Sequence, residues 1–481
     1  MSCRALWLFV IFVSVPSLGL AQAQVVWTDE ARFTALLSAV EGSYRHGLMP
    51  RDYHSADLVR LTHQPGPERD RVANEALALL LTHLHRGKVN AGHYRQNKPG
   101  PADQTLILES ARAENLARAI DLAAPSQPLY RALVSQLTQL RQIEAKGGWV
   151  PIGKGTTLSK GMSGPRVAAI AMRLRLLGDL SSQTRDDELF DETLVSAVKT
   201  FQRRMGLDPS GQVGAGVLEE LNRPIAQRIR QLRVNMDRAR ALMGDLPSRF
   251  MVVNIAGFDA YLIDDNRIIW RSKVQVGKPF RQTPQLRSAI DQIVLNPTWT
   301  VPPTILKEDI APAAAKDPSL IAKRGFTVTD QKGRVIDPRK IDWTGGLPYR
   351  LRQAPGPDNA MGRVKFLFPN PYSVYLHDTP AKALFASRSR AFSSGCVRLD
   401  HPIELADLIL TTDRKGWTST QTQVSLETMK TQTLQLGSPV TILLAYWTAW
   451  VDPEGVINFR RDIYGLDNRW AKALDHYSPR K

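Results

Sequence analysis

The chain contains two cysteines, of which one lies where a nucleophile is expected. Cys3 falls in an apolar N-terminal segment, whereas Cys396 lies in the sequence Ser393-Ser394-Gly395-Cys396-Val397-Arg398. Because a lone thiol cannot form an intramolecular disulfide, Cys396 is either a small buried hydrophobic residue or a nucleophile. Small residues before it allow a tight turn, and the apolar spacing of residues 400–410 predicts a helix after it. The positive end of that helix would favour the thiolate, so we interpret Cys396 as a nucleophile.

A thiol nucleophile needs a base, and two histidines of the same region are candidates. His377 ends the apolar strand Tyr375-Leu376 and precedes Cys396 by 19 residues. A histidine that leaves a strand edge can meet a turn that returns to the same edge, so we predict that His377 is the base. His401 follows Cys396 by five residues. We expect it in the first turn of the next helix, pointing away from the thiol as a surface or capping residue.

The N-terminal segment has the pattern of an export signal. Arg4 supplies a positive charge, Ala5 to Leu20 is almost wholly apolar, and Ala21-Gln22-Ala23 offers small residues for a signal peptidase. We therefore predict a cleaved signal peptide over residues 1–23 and a periplasmic protein. An uncleaved inner-membrane anchor is the alternative, because an apolar run of about 17 residues is marginal for spanning a bilayer.

The remaining 458 residues are long enough for about three domains, and they are basic. The formal net charge is +17, or +16 without Arg4. In an exported protein this charge favours an anionic polymer or a membrane surface, and export excludes nucleic acid as a partner. General basicity without a dedicated patch is the alternative interpretation.

Residues 24–150 read as a helical scaffold domain with no chemistry of its own. Apolar residues recur at spacings of three and four in its last segment, which predicts one buried stripe: Tyr130, Leu133, Leu137 and Leu140. His83 and His85 have no accompanying carboxylate or cysteine cluster, so we assign them structural roles and predict no metal.

A change of composition at Lys146-Gly147-Gly148 opens a compact segment, residues 156–224. Its spacing predicts one helix from Ser163 or Gly164 to Leu177 and another from Asp191, as N-cap, to Met205, with Gly206 as its stop. With its Gly, Leu and Phe-Gln positions, this segment resembles the peptidoglycan-binding repeat domain of cell-wall enzymes. Ala171 and Gly216-Val217 depart from that family's pattern, which bears on glycan affinity. A basic linker helix is expected over residues 225–248, with Ile229, Leu232 and Met236 on one side.

The periodicity then changes to that of β-strands, and we predict a mainly β catalytic domain over residues 249–450. Expected strands include Met251 to Ile255, Ala260 to Ile263, Ile268 to Trp270, Val274 to Val276, Ile290 to Leu295, Lys365 to Phe368, Ser373 to Leu376 and Val440 to Ala445. Residues 302–357 are rich in Pro, Gly and Lys, with a helical patch near Ile305 to Ala315. Such a long excursion predicts a lid over the site, with a mobile surface insertion as the alternative. Residues 451–481 form a C-terminal extension.

The spacing from His377 to the Ser-Ser-Gly-Cys-Val-Arg motif resembles the signature of the YkuD-type L,D-transpeptidases. Nearly the whole mature chain resembles the large periplasmic (YcbB-like) members of that family in Gram-negative bacteria. The other stretches that carry the resemblance are Asn296-Pro297-Thr298-Trp299-Thr300-Val301-Pro302, Pro355-Gly356-Pro357-Asp358-Asn359-Ala360-Met361-Gly362 and Tyr375-Leu376-His377-Asp378-Thr379-Pro380. The resemblance implies an α+β multidomain fold with a helical scaffold, a three-helix peptidoglycan-binding module and a β-rich catalytic domain.

The resemblance also implies roles for the residues of the motif. Cys396 would be the nucleophile, His377 the general acid and base, and the carbonyl of Asp378 the group that orients the His377 ring. Backbone amides of Gly395 and Cys396 would stabilise the oxyanion. Ser394 replaces the histidine that is common before Gly-Cys, which removes a rival base.

Several neighbouring residues are expected to contact the substrate. Arg398 stands where asparagine is common and would anchor a substrate carboxylate, or else pair with an acid such as Asp400. Tyr375 and Trp299 would line the pocket, or else belong to the core. The remaining predicted contacts are Ser393 and Ser394.

The implied reaction is acyl transfer through a Cys396 thioester that gives 3-3 cross-links between peptidoglycan stem peptides, without metal or cofactor. Expected partners are stem peptides, glycan, carbapenem-type inhibitors, and cell-wall synthases and D,D-carboxypeptidases. An L,D-carboxypeptidase that uses water as acceptor is one alternative. A wall-binding protein with an idle catalytic domain is another, and the presence of both His377 and Cys396 argues against it.

Overall fold

A computed structural model describes residues 26–89, 109–110, 112–181, 188–452 and 454–476. The predicted signal peptide, residues 1–23, lies outside the described residues. The fold is α+β and multidomain, with a helical N-terminal part, a small helical module and a mainly β domain, as predicted. No helix within the described ranges is both long enough and apolar enough to cross a membrane.

The N-terminal part is built from helices and short 3-10 turns. Its helices are α1 (Glu30–Gly42), α2 (Ser55–Arg60), α3 (Pro67–Arg86), α4 (Leu116–Ala123) and α5 (Pro128–Ala145), with 3-10 helices at Ser43–His46 and Pro50–Tyr53. The predicted apolar stripe is confirmed, because Tyr130, Leu133, Leu137 and Leu140 are all buried on α5. His83 serves the interior of this part, where its Nδ1 lies 3.0 Å from the Tyr53 hydroxyl.

The helical module contains α6 (Pro165–Leu176), α7 (Glu192–Arg204) and α8 (Ala215–Leu221). Asp191 caps α7 as predicted, since its carboxylate accepts the Leu194 N–H at 2.8 Å. Gly206 follows with a φ of +69°, a conformation that ends the helix and favours glycine. α6 begins one to two residues later than predicted because Pro165 occupies its first turn, where its missing N–H costs nothing.

The linker helix α9 (Ile225–Met243) lies at the centre of the N-terminal half and is largely buried. Ile229, Leu232 and Met236, predicted to lie on one side, are all buried, and charged residues of α9 are buried as well. Asp237 accepts hydrogen bonds from the backbone N–H groups of Lys88 at 2.7 Å and Val89 at 3.1 Å, and from the Trp470 indole at 3.0 Å. This carboxylate therefore joins the scaffold, the linker helix and the C-terminal segment.

The β domain centres on one nine-stranded sheet. Its strands are β1 (Arg249–Asn254), β2 (Asp259–Asp264), β3 (Arg267–Gly277), β4 (Leu286–Leu295), β8 (Val364–Leu367), β9 (Leu376–His377), β10 (Ala391–Ser393), β11 (Val397–Leu399) and β12 (Gln432–Ala445). They are arranged in the order β10-β3-β11-β9-β8-β4-β12-β1-β2, and β2 also pairs with β3, so the sheet closes on itself. The two strands expected between Ile268 and Val276 are one continuous strand, and the strand expected at Ser373 begins only at Leu376.

One face of this sheet is covered by two helices, α13 (Pro402–Asp413) and α14 (Ser419–Glu427). The apolar residues of β8, β9 and β11 share a buried cluster with those of the helices, among them Phe366, Leu376, Val397, Leu405 and Ile409. Because side chains alternate along a strand, the neighbouring residues of β8, β9 and β11 must project from the opposite face.

The insertion, residues 302–357, is a folded unit with a core of its own. Its elements are α10 (Pro303–Ile305), a π turn (Leu306–Ile310), α11 (Ala311–Lys316), α12 (Ser319–Lys323), β6 (Phe326–Thr329), a 3-10 helix (Pro338–Lys340) and β7 (Arg350–Gln353). Beyond the expected helical patch, β6 and β7 form a three-stranded sheet with β5 (Trp299–Thr300), which lies just before the insertion, in the order β5-β7-β6. The core of the insertion includes Ile310, Phe326, Trp343 and Leu351.

The segment predicted as a C-terminal extension packs on the rest of the chain. It contributes the second strand of the hairpin β13 (Ala449–Val451) and β14 (Ile457–Phe459), and the helix α15 (Asp467–Asp475). On α15, Asp467 pairs with the buried Arg238 of α9 at 2.6 Å.

Replacing Asp237 by Asn should destabilise the whole chain. Burial alone would raise the pKa of Asp237, but Arg240 and the donated hydrogen bonds hold it below its usual value. The carboxylate therefore stabilises the fold near neutral pH, and this contribution is lost as the pH falls below about 4. We expect the variant to lose about 3 kcal/mol in urea unfolding at pH 7, and less at pH 3.

Asp265→Asn, in an exposed turn, is the matched control and should unfold like the parent. An Asp237→Asn protein as stable as this control would contradict the assignment.

Candidate active site

Four side chains with reactive or charged groups project from one face of two adjacent strands. β9 and β11 are parallel neighbours in which His377 is paired with Arg398. The Val397 N–H donates to the Tyr375 carbonyl at 3.1 Å, which extends this register to the residues just before each strand. Tyr375, His377, Cys396 and Arg398 therefore lie on the face opposite the helices.

The same row continues onto the strands on either side. Lys365 of β8 is paired with His377, and Gln275 of β3 is paired with Arg398. Four neighbouring strands thus align Gln275, Arg398, His377 and Lys365 in one row, with Cys396 two residues from Arg398. His377 therefore lies between two cations, Arg398 and Lys365, and its strand is next to the strand that follows Cys396.

His377 is buried and held in one orientation. Its Nδ1 lies 2.5 Å from the Asp378 carbonyl oxygen, so a neutral ring donates the Nδ1–H and keeps a lone pair on Nε2. Burial lowers the pKa of His377 to about 3, with Arg398 and Lys365 acting in the same direction. At neutral pH the ring is therefore an uncharged base.

Asp378 is itself fixed by its surroundings. Its carboxylate accepts the Arg363 N–H at 2.8 Å and pairs with Lys382 at 2.9 Å. It packs so closely on Gly362 that a Cβ there would lie 2.4 Å from Asp378. The carbonyl that orients His377 therefore belongs to a rigid corner of the sheet.

The structure changes the account of the Cys396 thiol. A strand, β11, follows Cys396, and helix α13 begins only at Pro402. The prediction that a helix N-terminus favours the thiolate is therefore wrong. Burial raises the pKa of Cys396, while hydrogen bonds from Tyr375 and the charges of Lys365 and Arg398 oppose the rise. The resting pair is a neutral thiol and a neutral imidazole.

The turn before Cys396 is closed by its own hydrogen bonds. The Ser393 hydroxyl donates to the Cys396 carbonyl at 2.5 Å and accepts the Gly395 N–H at 3.1 Å. Gly395 has a φ of +116°, which explains the glycine. Ser393 is buried, so its hydroxyl shapes the turn and is not free for substrate.

These bonds also distinguish the two predicted oxyanion donors. The Gly395 N–H already points to Ser393, whereas no described residue accepts the Cys396 N–H. The amide of Cys396 is therefore the better candidate for an oxyanion donor in this conformation.

Sequence reasoning missed two residues that support this turn. The Thr283 hydroxyl donates to the Gly395 carbonyl at 2.8 Å. The Tyr464 hydroxyl donates to the Gly277 carbonyl at 2.7 Å and accepts the Thr283 N–H at 3.2 Å. They lie 112 residues before Gly395 and 187 residues after Gly277, respectively, so no local pattern signals these contacts.

Arg281, also missed, links the insertion to the turn. Its guanidinium pairs with Glu308 at 2.6 Å and Asp309 at 2.5 Å, and donates to the Ser394 hydroxyl at 2.8 Å. Only 12% of the Arg281 side chain is exposed. Ser394 therefore faces the insertion across the mouth of the site.

Tyr375 and Trp299 form a second link to the insertion. The Tyr375 side chain hydrogen-bonds both Cys396 and Trp299, and its burial raises its pKa. Trp299 belongs to β5 and packs on Phe326 of the insertion core, with ring centroids 5.8 Å apart. The nucleophile is therefore in contact with the insertion sheet through one tyrosine.

Arg398 and His401 differ in their partners and in their burial. Arg398 donates to Gln275 at 3.2 Å and forms no ion pair with Asp400 or any other described acid, so the ion-pair alternative is not found. Its Nε is buried without a partner among the described residues. His401 precedes α13 with half of its side chain exposed and lies 3.9 Å from the Asp400 carboxylate.

Three parts of the chain match known families. Residues 248–442 match the model described as "L,D-transpeptidase catalytic domain", residues 163–221 "Putative peptidoglycan binding domain" and residues 20–137 "Scaffold domain". A Haemophilus influenzae protein named "Putative L,D-transpeptidase" is 38% identical over 220 residues, which cover 45% of this chain and 44% of that protein. The match thus spans less than half of the relative.

Solved L,D-transpeptidase structures are more distant. The enzyme from Stackebrandtia nassauensis is 14% identical with a TM-score of 0.22, and the match covers 61% of this chain and 96% of that one. The Xylanimonas cellulosilytica enzyme is 13% identical with a TM-score of 0.19, covering 61% and 98%. Scores this low support no conclusion about this chain.

Removing the Tyr375 hydroxyl should raise the pKa of the Cys396 thiol further, because a hydrogen bond that favours the thiolate is lost. The measurement is the rate of iodoacetamide alkylation against pH, using residues 24–481, in which Cys396 is the sole thiol. The parent midpoint should lie above that of a free thiol, and Tyr375→Phe should move it higher.

Tyr349→Phe, which removes a hydroxyl from the insertion, is the control and should leave the profile unchanged. A Tyr375→Phe midpoint at or below the parent value would refute the hydrogen bond's effect on the thiol.

Proposed function

We propose that this chain, whose residues 248–442 match an L,D-transpeptidase catalytic domain, is a periplasmic enzyme that makes 3-3 cross-links in peptidoglycan. One observation carries the proposal. The register of β9 and β11 brings the Cys396 thiol and the neutral His377 ring to the same face of adjacent strands. Thiol-mediated acyl transfer requires this pair.

The first half-reaction forms the acyl-enzyme. The Cys396 sulfur attacks the carbonyl between the third residue of a donor tetrapeptide, a diamino acid, and the terminal D-alanine. His377 takes the thiol proton on Nε2, and the Cys396 N–H donates to the developing oxyanion. As the C–N bond breaks, His377 returns the proton to the departing amine, which leaves a thioester and free D-alanine.

The second half-reaction transfers the acyl group. The side-chain amine of a second stem attacks the thioester, and His377 accepts a proton from that amine. The C–S bond breaks, the proton passes to the sulfur, and the thiol is restored with a new amide between two third residues. His377 is neutral at pH 7 and donates its Nδ1–H to Asp378, so its Nε2 lone pair is free to accept a proton in each half-reaction.

The insertion supports cross-linking over hydrolysis. It contacts the turn through Arg281 and the nucleophile side through Trp299, so it lies against the mouth of the site. A covered thioester is shielded from water, which favours an amine acceptor over the L,D-carboxypeptidase alternative. The module that matches a peptidoglycan-binding domain and the basic net charge would hold the chain on its polymer.

Mass spectrometry of muropeptides tests the proposed function. Residues 24–481 incubated with tetrapeptide-rich sacculi should produce 3-3 cross-linked dimers and free D-alanine, and Cys396→Ala should produce neither. Tripeptide monomers without dimers would establish the carboxypeptidase instead, and no change in the sacculi would establish a non-catalytic wall-binding protein.

Carbapenems, whose β-lactam carbonyl is an acyl donor, should label the nucleophile. The intact protein should gain one adduct by mass spectrometry, and Cys396→Ala should gain none. His377→Ala should acylate more slowly by at least about 10²-fold, the usual contribution of a general base.

His401→Ala is the control and should acylate at the parent rate, because His401 lies at an exposed helix start. An adduct that survives Cys396→Ala, or parent-rate acylation of His377→Ala, would contradict the assigned roles.

Breaking the ion pairs of Arg281 should shift the products toward hydrolysis. In Glu308→Gln/Asp309→Asn the insertion loses both charged partners of Arg281, so water gains access to the thioester. We expect the ratio of tripeptide monomer to 3-3 dimer to rise several-fold, with carbapenem acylation of Cys396 retained.

Asp358→Asn, which changes an exposed acid just after the same insertion, should leave the product ratio at the parent value. An unchanged ratio in the double variant would show that the insertion does not govern the choice of acceptor.

A further inference from the structure

Lys365 is a charged residue of the site face with no role in the steps above. It is paired with His377 across β8 and β9. Its Nζ lies 3.8 Å from the centroid of the Tyr375 ring, and its charge acts on Cys396. The ammonium group is therefore beside both the base and the nucleophile.

The charge of Lys365 is uncompensated in the described part of the chain. No described carboxylate lies within 4.0 Å of its Nζ, and no described oxygen accepts a hydrogen bond from it. Lys382, five residues after His377 in the chain, differs because it pairs with Asp378 at 2.9 Å and donates to the Asp400 carbonyl at 2.6 Å. A half-buried ammonium that has an aromatic ring beside it but no anionic partner is costly, and an anionic ligand would relieve that cost.

The leaving group of the proposed reaction brings an anion to this place. An amino acid carries its amine and its carboxylate on the same carbon. When the departing amine lies at His377 Nε2, the carboxylate of the same amino acid lies within about 5 Å of that nitrogen, which is the spacing between neighbouring strands. Lys365 is on the neighbouring strand at the paired position, whereas Arg398 lies on the other side, toward the acyl portion.

The acceptor has the same chemistry when its attacking amine shares a carbon with a carboxylate, as in a diamino dicarboxylic acid. Resting on the proposed function, we propose that Lys365 binds the carboxylate of the α-amino-acid group, first in the leaving residue and then in the acceptor. One salt bridge thus places both amines at His377. Water has no carboxylate, so this subsite also favours aminolysis.

The test is the choice between two soluble acceptors, D-methionine and D-methioninamide, which differ in the carboxylate alone. Residues 24–481 are incubated with a soluble tetrapeptide donor and each acceptor, and the exchanged stem peptides are quantified by mass spectrometry. The amide is the less basic amine, so each variant is judged by its acid-to-amide rate ratio relative to the parent.

Lys365→Met should lower that ratio by about tenfold or more, the scale of one lost charge-assisted hydrogen bond. Lys365→Arg keeps the positive charge, so its acid-to-amide rate ratio should stay close to that of the parent. Lys273→Met, an exposed lysine on β3, is the matched control and should behave as the parent.

The outcomes separate this inference from the proposed function. A parent-like ratio in Lys365→Met, or loss of the ratio in both Lys365 variants with iodoacetamide alkylation of Cys396 unchanged, would overturn the carboxylate subsite. A parent protein that forms no thioester with the tetrapeptide donor would instead refute the proposed function.

Discussion

The parallel pairing of β9 with β11 is the constraint on which the site depends. Each strand contributes only two or three residues, yet their register decides which side chains share a face. A shift by one residue would turn His377 or Cys396 into the apolar core under α13. The buried residues Leu376 and Val397 oppose such a shift, because moving them to the site face would expose two large apolar side chains.

Distant segments of the chain hold this short pairing in place. The turn before Cys396 depends on Thr283, which is braced by Tyr464 from the C-terminal segment. Arg281 joins the same turn to the insertion, and Asp237 joins the C-terminal segment to the scaffold. The helical parts and the C-terminal segment are therefore connected to the site by hydrogen bonds, and a loss of packing far from Cys396 can reach the nucleophile.

The sequence predicts those parts of the site that follow from local pattern. The spacing of His377 and Cys396, one leaving a strand edge and one in a Gly-containing turn, predicts that they lie together, and the structure has them on adjacent strands. The helices of the small module and the apolar stripe of α5 also follow from periodicity, as does the cap at Asp191.

The remaining features depend on long-range contacts that no local pattern contains. Strands of two to four residues, such as β5 and β7, are too short to show an alternating pattern, so the sequence does not reveal the small sheet at the insertion. The three residues of β11 are likewise hidden between a turn and a helix, which explains the wrong helix-dipole prediction for Cys396. Tertiary contacts alone define the roles of Thr283, Tyr464 and Lys365, so the sequence does not indicate these roles.

The protonation state of His377 tests the central claim most directly, because the chemistry requires a neutral ring with its lone pair on Nε2. Nitrogen-15 NMR of the histidine-labelled protein, with His377→Gln to assign the signal, reports both the charge and the tautomer. Between about pH 5 and pH 8, a pKa of about 3 predicts an uncharged His377 ring protonated on Nδ1. An imidazolium at neutral pH, or a proton on Nε2, would contradict this account of the site.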